Sequence, residues 1–420
     1  MGDTILSTPI NLKSKTAPNR FAILPTEGND ALPDGSPSDR TVERYRKLAE
    51  GKAGIVFSEA VTVDPDGRAR KYQLVLENST AGGFEDMIGA FRRTNPEALF
   101  ILQLDHAGSL SDPSFSRPVS VYPKHGAALL SADDLQSIRD RFVEAALLAR
   151  EAGADGIDLK FAHGFLLGEI LHPRNNRAFL YGGSFDNRLR FFEEIIRGIA
   201  AGCRTEGGRG TGGKDGGQPA GSRKASSDDF LVGLRISAYE GIPGGFGTSG
   251  SEEVIEDYSE PERLSARAAE LGAAFVSVSA GNAASNLQIL LPGASYPDAV
   301  FRHFGWQRRI KRASGLPVVG AGYTLLRDGN NAVPGDGPET RSLRYWAEKN
   351  IAGGTVDIVG LGRQGIADPS FPAKFLSGAD DDIDYCKTCG GCGALLGAQQ
   401  NIGCVQYDDY YRELHARNGG

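Results

Sequence analysis

The sequence predicts an α/β fold in which eight parallel strands close into a barrel, and three observations predict it. Eight short apolar runs recur along the 420 residues, most are followed by a stretch of helical periodicity, and glycine-rich turns follow the last two. Unbroken apolar runs mark strands covered on both faces, because a sheet with one wet face alternates instead. An open doubly wound sheet would also be built of such units, but no GxGxxG follows the first run. The expected architecture is therefore a (β/α)8 TIM barrel over residues 1–378, with a short cysteine-bearing segment over 379–420.

In order, the runs are "RFAILPT" from Arg20, "GIVFSEA" from Gly54, "ALFILQL" from Ala98, "DGIDLK" from Asp155, "FLVGLRIS" from Phe230, "AFVSVSA" from Ala274, "LPVVGAG" from Leu316 and "VDIVGLG" from Val356. Amphipathic stretches lie between them. One from Ser131 opens with a serine followed by acidic residues, the usual start of a helix, and another runs from Asp186. Between the fourth helix and the fifth strand, residues 202–229 are glycine, serine and charge with almost nothing to bury, which predicts a disordered insertion. It falls on the helix-to-strand side of the barrel, the face away from chemistry. Cys203 borders this insertion and is read as incidental.

A net charge of -7 gives no electrostatic footprint for nucleic acid. No run approaches the roughly 18 to 20 apolar residues of a membrane span, and the first residues lack the order of a signal peptide. Gly2 starts a myristoylation pattern that Leu6 breaks. A cytoplasmic protein is expected, and in a reducing compartment five cysteines with four clustered argue for a metal or redox centre over disulfides.

The strand ends carry the chemistry of such a barrel. Here they bring Pro25, Thr26 and Glu27 after strand one, Glu59 and Ala60 on two, Gln103 and His106 around three, Lys160 and His163 at four, and Arg235 on five. Strands seven and eight end in "GAGYT" and "GLGRQG". Closely spaced glycines let several backbone N–H groups point at one anion, and Arg363 can grip phosphate oxygens, so a phosphorylated ligand is implied.

The motifs "PNRFAILPT", "GIVFSEA", "ILQLDHAG", "DGIDLKFAHGFLLGEILHP", "YGGSFDNRLRF", "VGLRIS" and "DIVGLGRQGIADPSFPAK" occur in one order. That order resembles the old yellow enzyme family of flavin-dependent oxidoreductases across nearly the whole chain outside the insertion. The resemblance implies noncovalent FMN at the barrel mouth. Pro25, Thr26 and Ala60 would line the ring, Gln103 would hydrogen bond its pyrimidine end, and Arg235 would sit on its N1 side. Gly322, Gly362 and Arg363 would take the phosphate. It further implies hydride transfer from reduced FMN to an activated alkene of an unsaturated carbonyl substrate, with NAD(P)H as reductant.

Two departures from the family pattern concern the substrate. Relatives often bind the carbonyl oxygen with two histidines, or histidine and asparagine, on strand four. This chain has Lys160 and His163, and Phe165 stands where a tyrosine proton donor is common. Lysine is a flexible point charge, which favours an anionic substrate group. Arg188, in "YGGSFDNRLRF", is read as an internal ion-pairing residue. Two other readings stand beside the ene-reductase one: a Schiff-base aldolase using Lys160, and a non-catalytic flavin and iron-sulfur electron-transfer subunit.

Cys386, Cys389, Cys392 and Cys404 have the spacing C-x2-C-x2-C-x11-C. Three thiols at intervals of three converge on one compact object and a fourth closes it, as a [4Fe-4S] cluster requires; zinc and a free-thiol cluster are the alternatives. The placement resembles the iron-sulfur subgroup of the same family, with 2,4-dienoyl-CoA reductase and trimethylamine dehydrogenase. There the cluster passes electrons to a second flavin module downstream. The residues after Cys404 leave no room for one, so the expected electron partner is another protein or subunit, or NAD(P)H itself.

Overall fold

The computed structural model describes residues 4–206, 229–293, 298–331 and 341–419. Eight strands form a closed, all-parallel barrel: β1 (Phe21–Ile23), β2 (Ile55–Thr62), β3 (Leu99–Asp105), β4 (Gly156–Phe161), β5 (Leu231–Ser237), β6 (Val276–Ser279), β7 (Val318–Gly320) and β8 (Ile358–Leu361). Each falls on one of the eight apolar runs, with β2, β3 and β4 reaching one or two residues past the end of theirs. The ring of helices is α1 (Asp39–Glu50), α2 (Ala81–Thr94), α3 (Ala132–Glu151), α4 (Phe185–Glu206), α5 (Ser259–Glu270), α6 (Ala299–Ser314), α7 (Leu343–Ala352) and α8 (Phe371–Ser377). Residues 207–228, the bulk of the glycine-rich insertion, fall between α4 and β5 as expected; their predicted disorder lies outside the described residues.

The helices start where the sequence supplies caps. Ser131 accepts from the Asp134 N–H while Asp134 bonds back to the Ser131 backbone, and Ser38 and Thr41 do the same for α1. Two apolar layers result. One fills the space between strands and helices; the other fills the barrel interior with Ala22, Ile55, Phe57, Leu99, Ile101, Leu231, Phe275, Val319 and Ile358. A hairpin of Ile10–Leu12 and Lys15–Ala17 plugs the bottom of that interior with Ile10, Leu12 and Ala17. Gly233 is required here, because a Cβ on it would lie 2.2 Å from the Phe275 ring.

Toward the carboxyl ends of the strands the inward positions turn polar. Alternate residues of a strand face one side, so Gln103 and Asp105, Asp158 and Lys160, Arg235 and Ser237, and Ser277 and Ser279 form the upper rows, all buried. The bottom of the barrel is stability and the top is a polar site. Arg188 is an internal residue, as the sequence suggests: it donates to the Leu171 carbonyl and pairs with Glu260.

Candidate active site

Strand register sets the geometry of the mouth. Gln103 pairs with Asp158, Lys160 with Arg235, and Arg235 with Ser277 across neighbouring strands. Gln103 Nε2 accordingly donates to Asp158 Oδ2 at 2.6 Å, and Arg235 Nη1 donates to Ser277 Oγ at 2.9 Å. Asp158 Oδ1 is buried with no partner among the described residues. Burial raises the Asp158 carboxyl to about 7 against the opposing pull of Gln103 and Arg235, and burial also lowers the Arg235 guanidinium from its ordinary value.

Lys160 is buried with its Nζ 3.3 Å from Asp105 Oδ2 and 3.3 Å from the centre of the Phe165 ring. The amine thus lies between an aromatic face and a carboxylate, both of which attract a cation. Burial pushes Asp105 up to about 6, with the Lys160 charge opposing. Its position one residue beyond the Leu104–Leu159 pair makes this ion pair a consequence of register.

His163 occupies the left-handed region, φ 65°, which costs energy for a residue with a side chain and persists only where its surroundings fix it. They do so here: its N–H donates to Ser237 Oγ at 2.9 Å, and its carbonyl accepts from the Ala283 N–H. Nε2 lies 2.8 Å from Ser279 Oγ. Burial, with Arg235 and Lys160 nearby, keeps the ring neutral by holding its pKa well below the usual histidine range. His106, by contrast, braces its loop, Nδ1 accepting from the Gly108 N–H at 3.0 Å.

At the far side of the mouth, Gly322 has φ 99° and a Cβ added to Gly362 would meet nothing within 4 Å. The Gly362 turn thus leaves open space at the end of β8, whereas a Cβ on Gly322 would lie 3.0 Å from the His303 side chain. Residues 6–206 match the family model described as the NADH:flavin oxidoreductase / NADH oxidase family. The NADH oxidase of Thermoanaerobacter brockii is 30% identical over 403 residues, covering 92% of this chain and 51% of that protein. Over residues 6–206 the chain belongs to the NADH:flavin oxidoreductase / NADH oxidase family. The dimethylamine dehydrogenase of Hyphomicrobium sp. (strain x) is 28% identical over 415 residues, 93% of this chain and 48% of that protein. The chain thus spans about half the length of these relatives. In fold it resembles a 2-naphthoyl-CoA reductase complex, with TM-score 0.75 and 22% identity over 97% of this chain and 58% of that one.

In this family member the strand-one and strand-two ends are joined by buried ions. Arg44 pairs with Asp30 at 2.9 Å and with Glu59, whose Oε2 also accepts from the Gly28 N–H at 2.9 Å. Burial lifts Glu59 to about 7 despite Arg44. Beside them Pro25 and Thr26 are half-buried, Glu27 keeps a buried oxygen without a partner among the described residues, and the Ala60 carbonyl accepts from Gln73 at 3.0 Å.

All four clustered cysteines line one pocket behind the glycine turns, together with Arg363. The left-handed residues Thr388, φ 52°, and Gly390, φ 82°, curl the chain so that Cys386, Cys389 and Cys392 converge. Burial raises the Cys392 thiol to about 11 and pushes Cys386 and Cys404 up as well; Arg363 opposes the shift at Cys386 and Cys392. Among the described residues no three His, Cys, Asp or Glu side chains are grouped closely enough for a metal ion. Arg363 itself donates to the Pro292 carbonyl, so it stands between the glycine turn and the thiols.

Sequence reasoning had missed three partners: Asp105 for Lys160, Ser279 for His163 and Asp158 for Gln103. The signal was available, since Asp105 and Asp158 each sit on a barrel strand adjacent to that of their partner and Ser279 sits two strands on from the one His163 follows, and barrel closure alone brings them together. Among the described residues no helix is long and apolar enough to cross a membrane.

Proposed function

We propose that the protein is an FMN-dependent NAD(P)H oxidoreductase of the ene-reductase type, acting on the activated alkene of an enone or enoate. The observation that carries it is Lys160 and Arg235 side by side on adjacent strands at the mouth of this family's barrel, where the one hydrogen bond of the Arg235 side chain among the described residues goes to a neutral serine. A buried guanidinium so placed calls for an anion. FMN fits the residues present: Arg235 complements an anionic ring, and Gln103 and the unpartnered Asp158 oxygen offer donor and acceptor at the pyrimidine edge. Pro25, Thr26 and Ala60 supply backbone along the ring, while Gly322, Gly362 and Arg363 would take the phosphate, with open space beside Gly362.

When bound and reduced by NAD(P)H, FMN would supply a hydride to the β-carbon of the alkene, and solvent would supply the proton for the α-carbon, since Phe165 has none to give. Lys160 Nζ and His163 hold the substrate's carbonyl or carboxylate oxygen and draw electron density toward it. Asp105 holds Lys160 in place, Ser279 fixes the imidazole, the Ser237 hydroxyl fixes the His163 backbone, and Phe165 keeps water from the amine. Ion pairing with Asp105 and membership of a flavin family weigh against the aldolase reading, which needs a neutral nucleophilic lysine.

Cys386, Cys389, Cys392 and Cys404 would hold a [4Fe-4S] cluster in the segment 379–420, behind the FMN barrel of 1–378, with electrons arriving from NAD(P)H or a partner protein. The NADH oxidase and dimethylamine dehydrogenase relatives are consistent with either supply. Anaerobic purification followed by a visible spectrum, iron and sulfide assays and an enone panel tests all of this. A yellow-brown protein that releases FMN on denaturation and oxidises NAD(P)H faster with an enone is expected. A protein that takes up no FMN supplied in excess sinks the reading.

A further inference from the structure

The eleven-residue spacer between Cys392 and Cys404 is longer than closing a ring of four thiols demands, and its last part is spent on the barrel mouth. Residues 399–402 run along the loop that leaves β1. Ile402 N–H donates to the Gly28 carbonyl at 2.9 Å, Asn401 Nδ2 to the Asn29 carbonyl at 2.7 Å, and Asn29 Nδ2 to the Gln400 carbonyl at 3.0 Å. Asn29 Oδ1 accepts from the Tyr72 N–H at 2.8 Å, tying in the loop after β2, and Gln399 Oε1 accepts from the Lys71 N–H at 3.0 Å. Asn29 is wholly buried and left-handed, φ 47°. It sits three residues beyond Thr26 in the proposed flavin seat.

A second joint lies on the other side of that seat. Gln364, buried and two residues after Gly362, donates from Nε2 to the Asp384 carbonyl at 3.0 Å and accepts at Oε1 from the Cys386 N–H at 2.9 Å. The cysteine segment therefore grips both loops that would hold FMN, the strand-one loop just before its last cysteine and the strand-eight turn at its first.

We infer that Gln364 and Asn29 are positioning residues that make the flavin seat depend on the metal-bound state of the cysteine segment, so that cluster and FMN each tighten the binding of the other. The inference rests on the proposed cofactors. Its physical basis is the thinness of the tail around the thiols: Leu395, Ile402 and Val405 are the buried apolar residues of its own small core, while Ile383 and Tyr385, before the first cysteine, are buried in the core of the barrel instead. A segment with so little to bury draws its order from its metal, as small metal-bound domains do. Once the thiols let go, the bonds to Gly28, Asn29 and Gln364 lose their fixed partners, and the two loops relax. Linkage requires the effect to be reciprocal.

The full chain tests this without measuring turnover. FMN affinity is read from flavin fluorescence for protein reconstituted with iron and sulfide and for the same protein after anaerobic chelation. Loss of the cluster should weaken FMN binding by roughly 5- to 150-fold, the usual span of such coupling. Gln364→Ala removes one joint. Asn29→Gly weakens the other, removing the side-chain bonds to Gln400 and Tyr72, while keeping a residue at ease in the left-handed region. In each variant the ratio of the two affinities should shrink toward one while iron content stays that of the parent; either variant suffices if the other fails to fold. Equal FMN affinity with and without the cluster overturns the inference, as does an undiminished ratio in a folded variant. Failure to bind FMN in both states, or to bind iron at all, overturns it together with the cofactor assignment and is told apart by that signature.

Discussion

The barrel mouth and the cysteine tail solve the same problem, gathering polar side chains around one ligand, by opposite means. In the mouth each partner is delivered by strand register: Gln103 to Asp158, Arg235 to Ser277, and Asp105 to Lys160. A large apolar core beneath holds the strands whether or not anything is bound. In the tail no strand contributes. The thiols converge through two left-handed residues and a few bonds to loops, over a core of three buried apolar residues. The first region is preorganised and carries electrostatic tension; the second waits for its ligand to finish it.

The comparison can be broken most forcefully at the thiols. Cys392→Ser should abolish nearly all tightly held iron, because one missing ligand leaves a cluster open to solvent, while far-ultraviolet dichroism of the barrel stays unchanged. Iron retained by this variant, or a barrel that unfolds with it, would show that the two regions are not built as differently as described.

A smaller effect is expected in the mouth. Lys160→Met should lower kcat/KM with an enone acceptor on the order of 10²-fold, the scale of one lost electrostatic donor, with bound FMN per chain unchanged. Loss of FMN instead would move Lys160 into the flavin seat.

The smallest effect sharpens the contrast through pH. Asp158 has its carboxyl raised by burial to about 7, so the folded state prefers it neutral. Its contribution to stability is complete below the ordinary aspartate value near 4 and is lost as pH rises through about 7. Asp158→Asn removes that loss: in the apo protein the variant should gain on the parent by about 2 °C or more in Tm between pH 5 and pH 8. A difference that does not change over this interval would mean that the carboxylate is already compensated.

The barrel was legible because its signal is repetitive. Eight apolar runs can be counted, and the Ser131 capping box sits where the serine and acids were read. The site residues at strand ends followed from the fold, since a parallel barrel puts them on one face. Asp105 was legible in principle yet missed, as "LDHAG" draws the eye to its histidine, and only closing β3 against β4 sets the aspartate beside Lys160. His163 was named, but nothing local announces its left-handed backbone, which depends on Ser237 and Ala283 from other strands and loops.

Local pattern alone determined the strand and helix sequence, the polar chemistry of the strand ends and the cysteine spacing, because these depend on residues near one another along the chain. Tertiary structure decided which charges face each other and what the long cysteine spacer is for. Asn29 meets Gln400 across 371 residues, and no periodicity encodes a contact at that separation; it exists only because the barrel brings its first loop and its tail to the same edge.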